Sequence, residues 1–285
     1  MQWYEILTKD QVEQVHDTSL QILEQIGVDF GWQPALEVLA KGGAKVEGER
    51  VFFSPCMVEE QLKKAPSQFR LYARNSEKDV IIGGNHIVFT PGYGAPFVTD
   101  LDGGRRKGTL KDFENFVKLI GASPHQDICS GVPIEANDIP YENRYARKLY
   151  TAMKYSDKCF MGSSMGQERA RDSIRMASIL FGSEAQLAEK PRLISIQVSL
   201  TPLKYDALML GAIMEYAGAG QPQLISSLSM AGATSPVTLA GSLALQNAEI
   251  LAGIVLAQLV REGAPVVFAG ASSNVDMGHA HLSIG

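Results

Sequence analysis

The residues with the clearest catalytic spacing are 162–166 (GSSMG), which match the pattern G-x-S-x-G. They follow a predicted strand and precede a predicted helix, which is the setting of the nucleophile elbow in serine hydrolases. Asp276 comes later, followed by His279 and His281, in the chain order of a Ser, Asp, His triad. The pattern is short and consists of small residues, so it arises easily by chance. A serine hydrolase that uses Ser164 is one hypothesis for the function.

The pair His279-x-His281 also has the spacing of two metal ligands on a strand, but the sequence places no further ligand cluster beside it. We therefore expect exposed histidines and no bound metal. A GxxxxGK[ST] phosphate loop and a dinucleotide-binding glycine pattern are both missing from the sequence. The residues give no support to ATP or nicotinamide chemistry.

Most polar candidates lie where predicted strands end. Strands predicted near residues 128–134, 158–162, 193–198, 224–228 and 266–269 alternate with helices predicted near 141–155, 167–181, 204–216 and 236–260. This alternation indicates an α/β fold, either a (β/α)8 barrel or a doubly wound sheet, and both bind ligands at the carboxyl ends of their strands. The residues predicted at these ends are Glu135, Ser163, Ser164, Ser199, Thr201, Ser227, Ser229, Met230, Thr234, Ser272 and Asp276.

The longest predicted helix carries polar residues within an apolar sequence. Ser235 is the predicted N-cap, Pro236 the first helical residue, and Gly263 follows the last apolar turn. Gln246 and Glu249 lie on adjacent turns of this helix. We predict that they hydrogen-bond a neighbouring loop, in a structural role.

Residues 1–110 follow a different pattern and are predicted to form an α+β cap, whereas residues 111–285 form the β/α part. Capping patterns predict helices that begin after Thr8, at Pro34, after Ser54 and after Thr109. Hairpins are predicted around Gly48 and in the segment TDLDGGRRKG, and short strands in the segments FRLYA, DVIIGG and HIVFT. These elements position the candidate residues of the second part.

Composition excludes several classes of function. The chain has 285 residues, 45% of them hydrophobic and 20% charged, with a net charge of -5. This acidic balance argues against a nucleic-acid surface, and no apolar run is long enough to cross a bilayer. We expect a cytoplasmic protein without membrane or nucleic-acid partners. Cys56, Cys129 and Cys159 contain no CxxC pair and are predicted to be unpaired, buried residues.

Three long stretches carry a family resemblance. MAGATSPVTLAGSLALQNAEILAG with APVVFAGASSNVDM, LTKDQVEQVHDTSLQILEQIGV at the start, and TPGYGAPFVTDLDGG in the first third resemble the trimethylamine methyltransferase (MttB-like) family, which is corrinoid-dependent. The resemblance implies a TIM-type (β/α)8 barrel. Family members are considerably longer, so it also implies that this chain is the N-terminal part of a longer member and supplies about five of the eight strands.

The resemblance implies methyl transfer from a quaternary or tertiary methylamine, such as a glycine betaine-like compound or trimethylamine, to the Co(I) of a corrinoid protein. The expected partners are that corrinoid protein and the small methylated amine, and a homo-oligomer is expected. A site for such a cation needs aromatic faces and no strong nucleophile. Tyr93, between Gly92 and Gly94, is therefore the first candidate, and Phe97 is a second one that could instead belong to the core. An inactive truncated family member is a further alternative.

Overall fold

The structure is a computed structural model, and it describes residues 5–129, 131–276, 278–279 and 281–283. Its helices in these ranges are α1 (Lys9–Gln25), α2 (Gln33–Lys41), α3 (Pro55–Lys64), α4 (Leu110–Ala122), α5 (Tyr141–Tyr155), α6 (Gln167–Phe181), α7 (Glu184–Glu189), α8 (Ala207–Gly218) and α9 (Leu239–Val260). Its strands are β1 (Val28–Phe30), β2 (Lys45–Glu47), β3 (Arg50–Phe52), β4 (Gln68–Leu71), β5 (Val80–Gly83), β6 (Phe97–Asp100), β7 (Gly104–Lys107), β8 (Ile128–Cys129), β9 (Cys159–Met161), β10 (Leu193–Val198), β11 (Lys204–Tyr205), β12 (Gln223–Ser227), β13 (Met230–Ala231), β14 (Val266–Gly270), β15 (Ser273–Asp276) and β16 (His281–Ser283).

A five-stranded parallel sheet has the order β14-β12-β10-β9-β8. Ile128 of β8 pairs with Cys159 of β9, and Phe160 of β9 pairs with Leu193 of β10. Helices separate the strands of this sheet along the chain. The order of the strands across the sheet is also their order along the sequence. The structure confirms the α/β class. Closure of this sheet into a barrel stays a prediction.

The chain divides into two compact units. Unit 1 comprises Met1–Ala65, Ile196–Met214 and Leu224–Gly285, and unit 2 comprises Pro66–Ser195 and Glu215–Gln223. The expected division into a cap over residues 1–110 and a barrel over 111–285 stays a prediction.

Helix α9 forms the core of unit 1. It packs against α1, α2 and α3, which bury Leu23, Leu39 and Val58. The expectation that no apolar run is long enough to cross a bilayer is wrong for this helix by length and composition, but 78% of its most apolar window is buried within the structure. Thr238 begins it by accepting a hydrogen bond from the Gly241 N–H. A helix that is apolar on all sides and surrounded by other helices is a core helix.

In unit 2, helix α4 packs against α5. Lys158 closes the end of α4, since its ammonium donates to the carbonyls of Ile120 (2.8 Å), Ser123 (2.6 Å) and Gln126. Carbonyls at a helix end have no partner within the helix, and a cation there also complements the helix dipole. The Phe160 and Phe181 rings stack with centroids 6.1 Å apart.

The helix starts predicted after Thr8, Ser54 and Thr109 are correct. Thr8 and Thr109 form capping boxes at α1 and α4, and Ser54 caps α3. Helices α5 and α6 have the predicted bounds, and both predicted hairpins, β2–β3 and β6–β7, are present.

Other expected elements are wrong, for reasons that involve contacts distant in sequence. Residues 86–90 form no strand, because Phe89 exchanges hydrogen bonds with Asp127, whose side chain accepts from the Phe89 N–H at 2.6 Å. The predicted strand 128–134 shortens to β8; it includes residue 130, which lies outside the described residues. Helix α8 begins at Ala207 rather than at Lys204, because Lys204–Tyr205 pairs with β1.

Two further expectations are corrected. Helix α9 begins at Leu239 rather than at Pro236, because the predicted cap Ser235 instead bonds the Ser242 hydroxyl at 2.7 Å. Cys56 is exposed, whereas Cys129 and Cys159 are buried as expected. Desolvation by burial raises the pKa of Cys129 to about 11 and that of Cys159 to about 12, so neither is a ready nucleophile at neutral pH.

Candidate functional site

A cavity of about 240 Å³ in unit 2 is lined by four of the predicted site residues, Tyr93, Glu135, Ser163 and Ser164. It lies where β8 and β9 end and where α5 and α6 present side chains. An enclosed space of ~150 Å³ is enough for a ligand the size of benzene. The cavity is therefore large enough for a small organic molecule.

Glu135 is held in place by two cations of α5. The Lys148 ammonium donates to both carboxylate oxygens at 3.1 Å, and the Arg144 guanidinium lies 3.5 Å from the same carboxylate. Lys148 keeps only 12% of its side-chain surface exposed. Desolvation by burial lowers the pKa of Lys148, while the Glu135 charge acts in the opposite direction.

Tyr93 lines the cavity, and its ring packs against the backbone of Gly131. Its ring lies directly over Gly131, where an added β-carbon would overlap two ring atoms, and Gly131 has a positive φ of 59°. Although 55% of the residue is exposed, desolvation is the largest effect on its phenol and raises the pKa of Tyr93. The Ser164 hydroxyl is close enough to the Tyr93 phenol to act on its pKa in the opposite direction, but its effect is smaller. The phenol therefore stays neutral and presents a polar group to the cavity.

Tyr216 holds the segment that follows β9 through a hydrogen bond. Its buried hydroxyl donates to the Ser163 carbonyl at 2.8 Å, and the Ser163 N–H donates to the Ser173 hydroxyl at 3.1 Å. Gly162 has no room for a side chain, because a β-carbon there would overlap the Tyr216 oxygen. The backbone of Ser163 is thus rigid, which holds it in place at the cavity wall.

The same region shows no nucleophile elbow. Ser164 is buried, and the neutral Tyr93 phenol is the titratable group on whose pKa its hydroxyl acts. A nucleophile elbow puts its serine on a strained turn. Among the described residues Leu203, and not Ser164, is the non-glycine residue with positive φ. The geometry does not favour the hydrolase hypothesis.

A second cluster, in unit 1, is organised by Glu249 of α9. This carboxylate is fully buried, and one of its oxygens accepts hydrogen bonds from the hydroxyls of Ser199 (2.5 Å), Thr201 (2.9 Å) and Ser227 (2.7 Å). The other oxygen accepts from the Leu203 N–H at 2.7 Å. A buried carboxylate is stable only when such donors replace its water shell.

Gln246 extends this cluster. Its amide nitrogen donates to the Ser227 carbonyl at 2.9 Å and to the Ser272 hydroxyl at 2.5 Å. The prediction that Gln246 and Glu249 bond neighbouring loops is confirmed. It follows that the hydroxyls predicted to face a substrate at Ser199 and Ser227 donate to Glu249 instead, with the Ser229 hydroxyl 3.4 Å from that of Ser227.

The remaining predicted residues lie outside both clusters. Phe97 lies on β6 and is 44% exposed, so the core alternative for it is wrong; the Arg105 guanidinium lies 4.3 Å from its ring centre. Met230 and Thr234 belong to one turn, in which the Met230 N–H donates to the Thr234 hydroxyl at 3.1 Å.

Asp276 lies beside both histidines that the sequence singles out. Its carboxylate is 2.9 Å from His279 Nδ1 and 4.0 Å from His281 Nε2, and these three ligand atoms lie within 4.8 Å of one another. The His279 hydrogen bond, with backbone N–H donors, lowers the pKa of Asp276. The expectation that the histidines lack a nearby third ligand is wrong, and among the described residues these three form a group that could hold a metal ion.

Sequence reasoning missed the cationic and aromatic wall of the unit 2 cavity, formed by Tyr141, Arg144, Tyr145 and Lys148 of α5 and Arg169 of α6. A signal was available, because the α5 residues recur at three- and four-residue spacing and therefore share one helix face. The sequence could not show that this face lines a cavity.

Comparison with known families connects this geometry to a class of protein. The family model described as "Trimethylamine methyltransferase (MTTB)" matches residues 1–285. The chain belongs to this family. The family resemblance seen in the sequence is therefore confirmed over the whole chain.

Individual relatives carry more specific names. The chain is 55% identical over 282 residues to "Glycine betaine methyltransferase" of Desulfitobacterium hafniense (strain Y51), which covers 99% of this chain and 59% of that relative. It is 32% identical to "Proline betaine:corrinoid methyltransferase" of Eubacterium limosum, over 98% of this chain and 59% of the relative. It is 30% identical to "Trimethylamine methyltransferase MttB" of Desulfitobacterium hafniense (strain DSM 10664 / DCB-2), over 95% of this chain and 55% of the relative. The chain spans a little more than half the length of these curated relatives.

Proposed function

We propose that this chain takes part in methyl transfer from a quaternary methylamine of the glycine betaine type to a corrinoid protein. The observation that carries the proposal is the 55% identity, across 99% of the chain, to a relative named glycine betaine methyltransferase. Other relatives are named for proline betaine, carnitine and trimethylamine, so methylated amines are common to the set.

The unit 2 cavity is the proposed site for the methylated amine. The rings of Tyr93, Tyr141 and Tyr145 border it, and aromatic faces attract quaternary ammonium groups. The leaving tertiary amine keeps the electron pair of the broken N–CH3 bond, so no general acid is required. The task of the chain is then to bind and orient the substrate and to exclude water.

The methyl acceptor would approach on a partner protein. A corrin ring is far larger than a cavity of about 240 Å³, so the cavity fits the amine and not the corrinoid. When bound, the corrinoid supplies Co(I) as the nucleophile. Relatives named corrinoid methyltransferases support the corrinoid protein as partner.

We propose in addition that the five-stranded sheet is part of a TIM-type barrel. Its strand order follows the chain order from β8 to β14, as in a barrel, whereas a doubly wound sheet reverses direction at a switch point. A cytoplasmic location and a homo-oligomeric state are part of the same proposal.

The test is demethylation with reduced cob(I)alamin as acceptor, followed by its visible absorbance. Glycine betaine, proline betaine, carnitine and trimethylamine are supplied in separate reactions. We expect turnover with glycine betaine and little with the others. Absence of turnover with all four, from protein that melts cooperatively, would refute the proposal for this chain.

A further inference from the structure

Arg169, in the first turn of α6, has no anionic partner in the part of the chain that the structure describes. None of its guanidinium nitrogens lies within 4.0 Å of a described carboxylate, and its side chain makes no hydrogen bond there. The guanidinium instead lies 4.5 Å from the ring centre of Tyr141 and 5.1 Å from that of Tyr145. A cation in the first turn also opposes the helix dipole, so neither local electrostatics nor an ion pair explains its position.

The cavity next to Arg169 carries an excess of positive charge. Arg144, Lys148 and Arg169 line it together with a single carboxylate, Glu135. Lys148 and Arg144 already pair with Glu135. Arg171, two residues after Arg169, is satisfied elsewhere by Glu215 at 2.6 Å. Arg169 is thus the cation of this wall that forms no ion pair with a described carboxylate; Asp172, one turn further along α6, accepts a hydrogen bond from the Tyr145 hydroxyl instead, at 2.5 Å.

The contacts with two tyrosine rings restrain the guanidinium, and a planar guanidinium binds a carboxylate through two parallel hydrogen bonds. The cavity volume of about 240 Å³ admits a ligand of roughly ten non-hydrogen atoms, by comparison with ~150 Å³ for benzene, so a small betaine fits. The ring of Tyr93, which lines the same cavity and is not one of the two rings in contact with Arg169, is available to the other end of such a ligand.

We propose that Arg169 binds the carboxylate of a small zwitterionic betaine and thereby selects carboxylated quaternary amines over amines that lack a carboxylate. The substrate class rests on the proposed function, whereas the carboxylate site does not. A methylammonium ion without a carboxylate would meet the positive charge of Arg169, whereas the carboxylate of a betaine would pair with it. Arg169 is a specificity-determining residue in this account.

The experiment measures binding by calorimetry with three probes. Glycine betaine has both charges, 3,3-dimethylbutanoate has the same shape with a carboxylate and no positive charge, and choline has the ammonium group without a carboxylate. Arg169→Gln is the test variant, Arg169→Lys keeps the charge but removes the second hydrogen bond, and Arg171→Gln is the matched control on the same helix. Melting curves of all variants establish that they fold.

We expect Arg169→Gln to weaken binding of glycine betaine and of 3,3-dimethylbutanoate by about 10- to 100-fold, as for loss of charge-assisted hydrogen bonds. The affinity of Arg169→Lys for these two carboxylates should lie between those of the wild type and Arg169→Gln. The choline affinity of Arg169→Gln should differ from that of the wild type by less than about twofold, and Arg171→Gln should bind all three probes like the wild type. Unchanged carboxylate binding in Arg169→Gln, or no carboxylate binding by the wild type, would overturn the inference.

Binding and turnover distinguish the two proposals. Carboxylate binding that depends on Arg169, without methyl transfer to cob(I)alamin, would refute the proposed function and support the carboxylate site. Turnover of glycine betaine with equal kcat/KM in wild type and Arg169→Gln would support the function and refute the site.

Discussion

Replacing Glu249 tests the claim that one buried carboxylate organises the strand ends of unit 1. In Glu249→Ala the Leu203 N–H and three hydroxyls lose their acceptor, and each buried donor without a partner costs ~1–3 kcal/mol. The sum overstates the effect, because hydroxyls can rotate toward one another and removal of a buried charge recovers its desolvation energy. The Ser227 hydroxyl, for example, has Thr201 and Ser229 hydroxyls at 3.4 Å.

We therefore expect Glu249→Ala to lower the free energy of unfolding by ~3–5 kcal/mol, and Glu249→Gln, which keeps one acceptor oxygen, by ~1–3 kcal/mol. The assay is urea denaturation, with the slope m checked for constancy. Glu262→Ala is the control, since that side chain is 76% exposed and its ion pair with Lys64 is 3.8 Å long; it should change stability by less than ~0.5 kcal/mol. A loss below ~1 kcal/mol in Glu249→Ala would refute the reasoning.

Three further predictions concern unit 2. Gly162→Ala should destabilise the protein by ~2 kcal/mol or more in thermal melts, because its β-carbon would overlap the Tyr216 oxygen. Gly218→Ala is the control, since the space around Gly218 is open, and it should change stability by less than ~1 kcal/mol. Equal effects of the two substitutions would contradict the packing argument. Lys158→Met should lower the free energy of unfolding by ~2–4 kcal/mol, since the carbonyls that end α4 lose their donor, and faster hydrogen exchange at the end of α4 is the measurement. Hydrogen bonds from Arg106, and then from Thr109, hold the pKa of Asp112 well below its usual range, so this carboxylate contributes stability that is present above pH ~4 and lost as the pH falls. The urea midpoint of Asp112→Asn should therefore be lower than that of the wild type at pH 7, and the two should converge in acid. A constant difference in urea midpoints across that range would count against this.

The sequence predicts elements whose boundaries depend on neighbours in the chain. Thr8, Ser54 and Thr109 each bond a backbone N–H three residues on, so their capping patterns can be recognised without any tertiary information. Ser235 has the same local signal, but its hydroxyl bonds Ser242 and Thr238 caps the helix instead. Two candidate caps so close together can be distinguished only by contacts within the folded chain.

The candidate site was less predictable, because its charges are brought together by packing. The sequence indicates Tyr93 through its flanking glycines and Glu135 through its place after a strand. It does not show that Arg144 and Lys148 neutralise Glu135, or that Arg169 is left without a carboxylate. Likewise the serines after β10 and β12 look like free hydroxyls in the sequence and are donors to Glu249 in the structure.

The most direct test of the central claim is the stoichiometry of methyl transfer from glycine betaine to cob(I)alamin by this chain. Dimethylglycine is quantified by NMR, and methylated cobalamin by its visible spectrum. The account predicts equal amounts of the two products, with formation that saturates in glycine betaine. Dimethylglycine without methylated cobalamin, or no product from cooperatively folded protein, would contradict it.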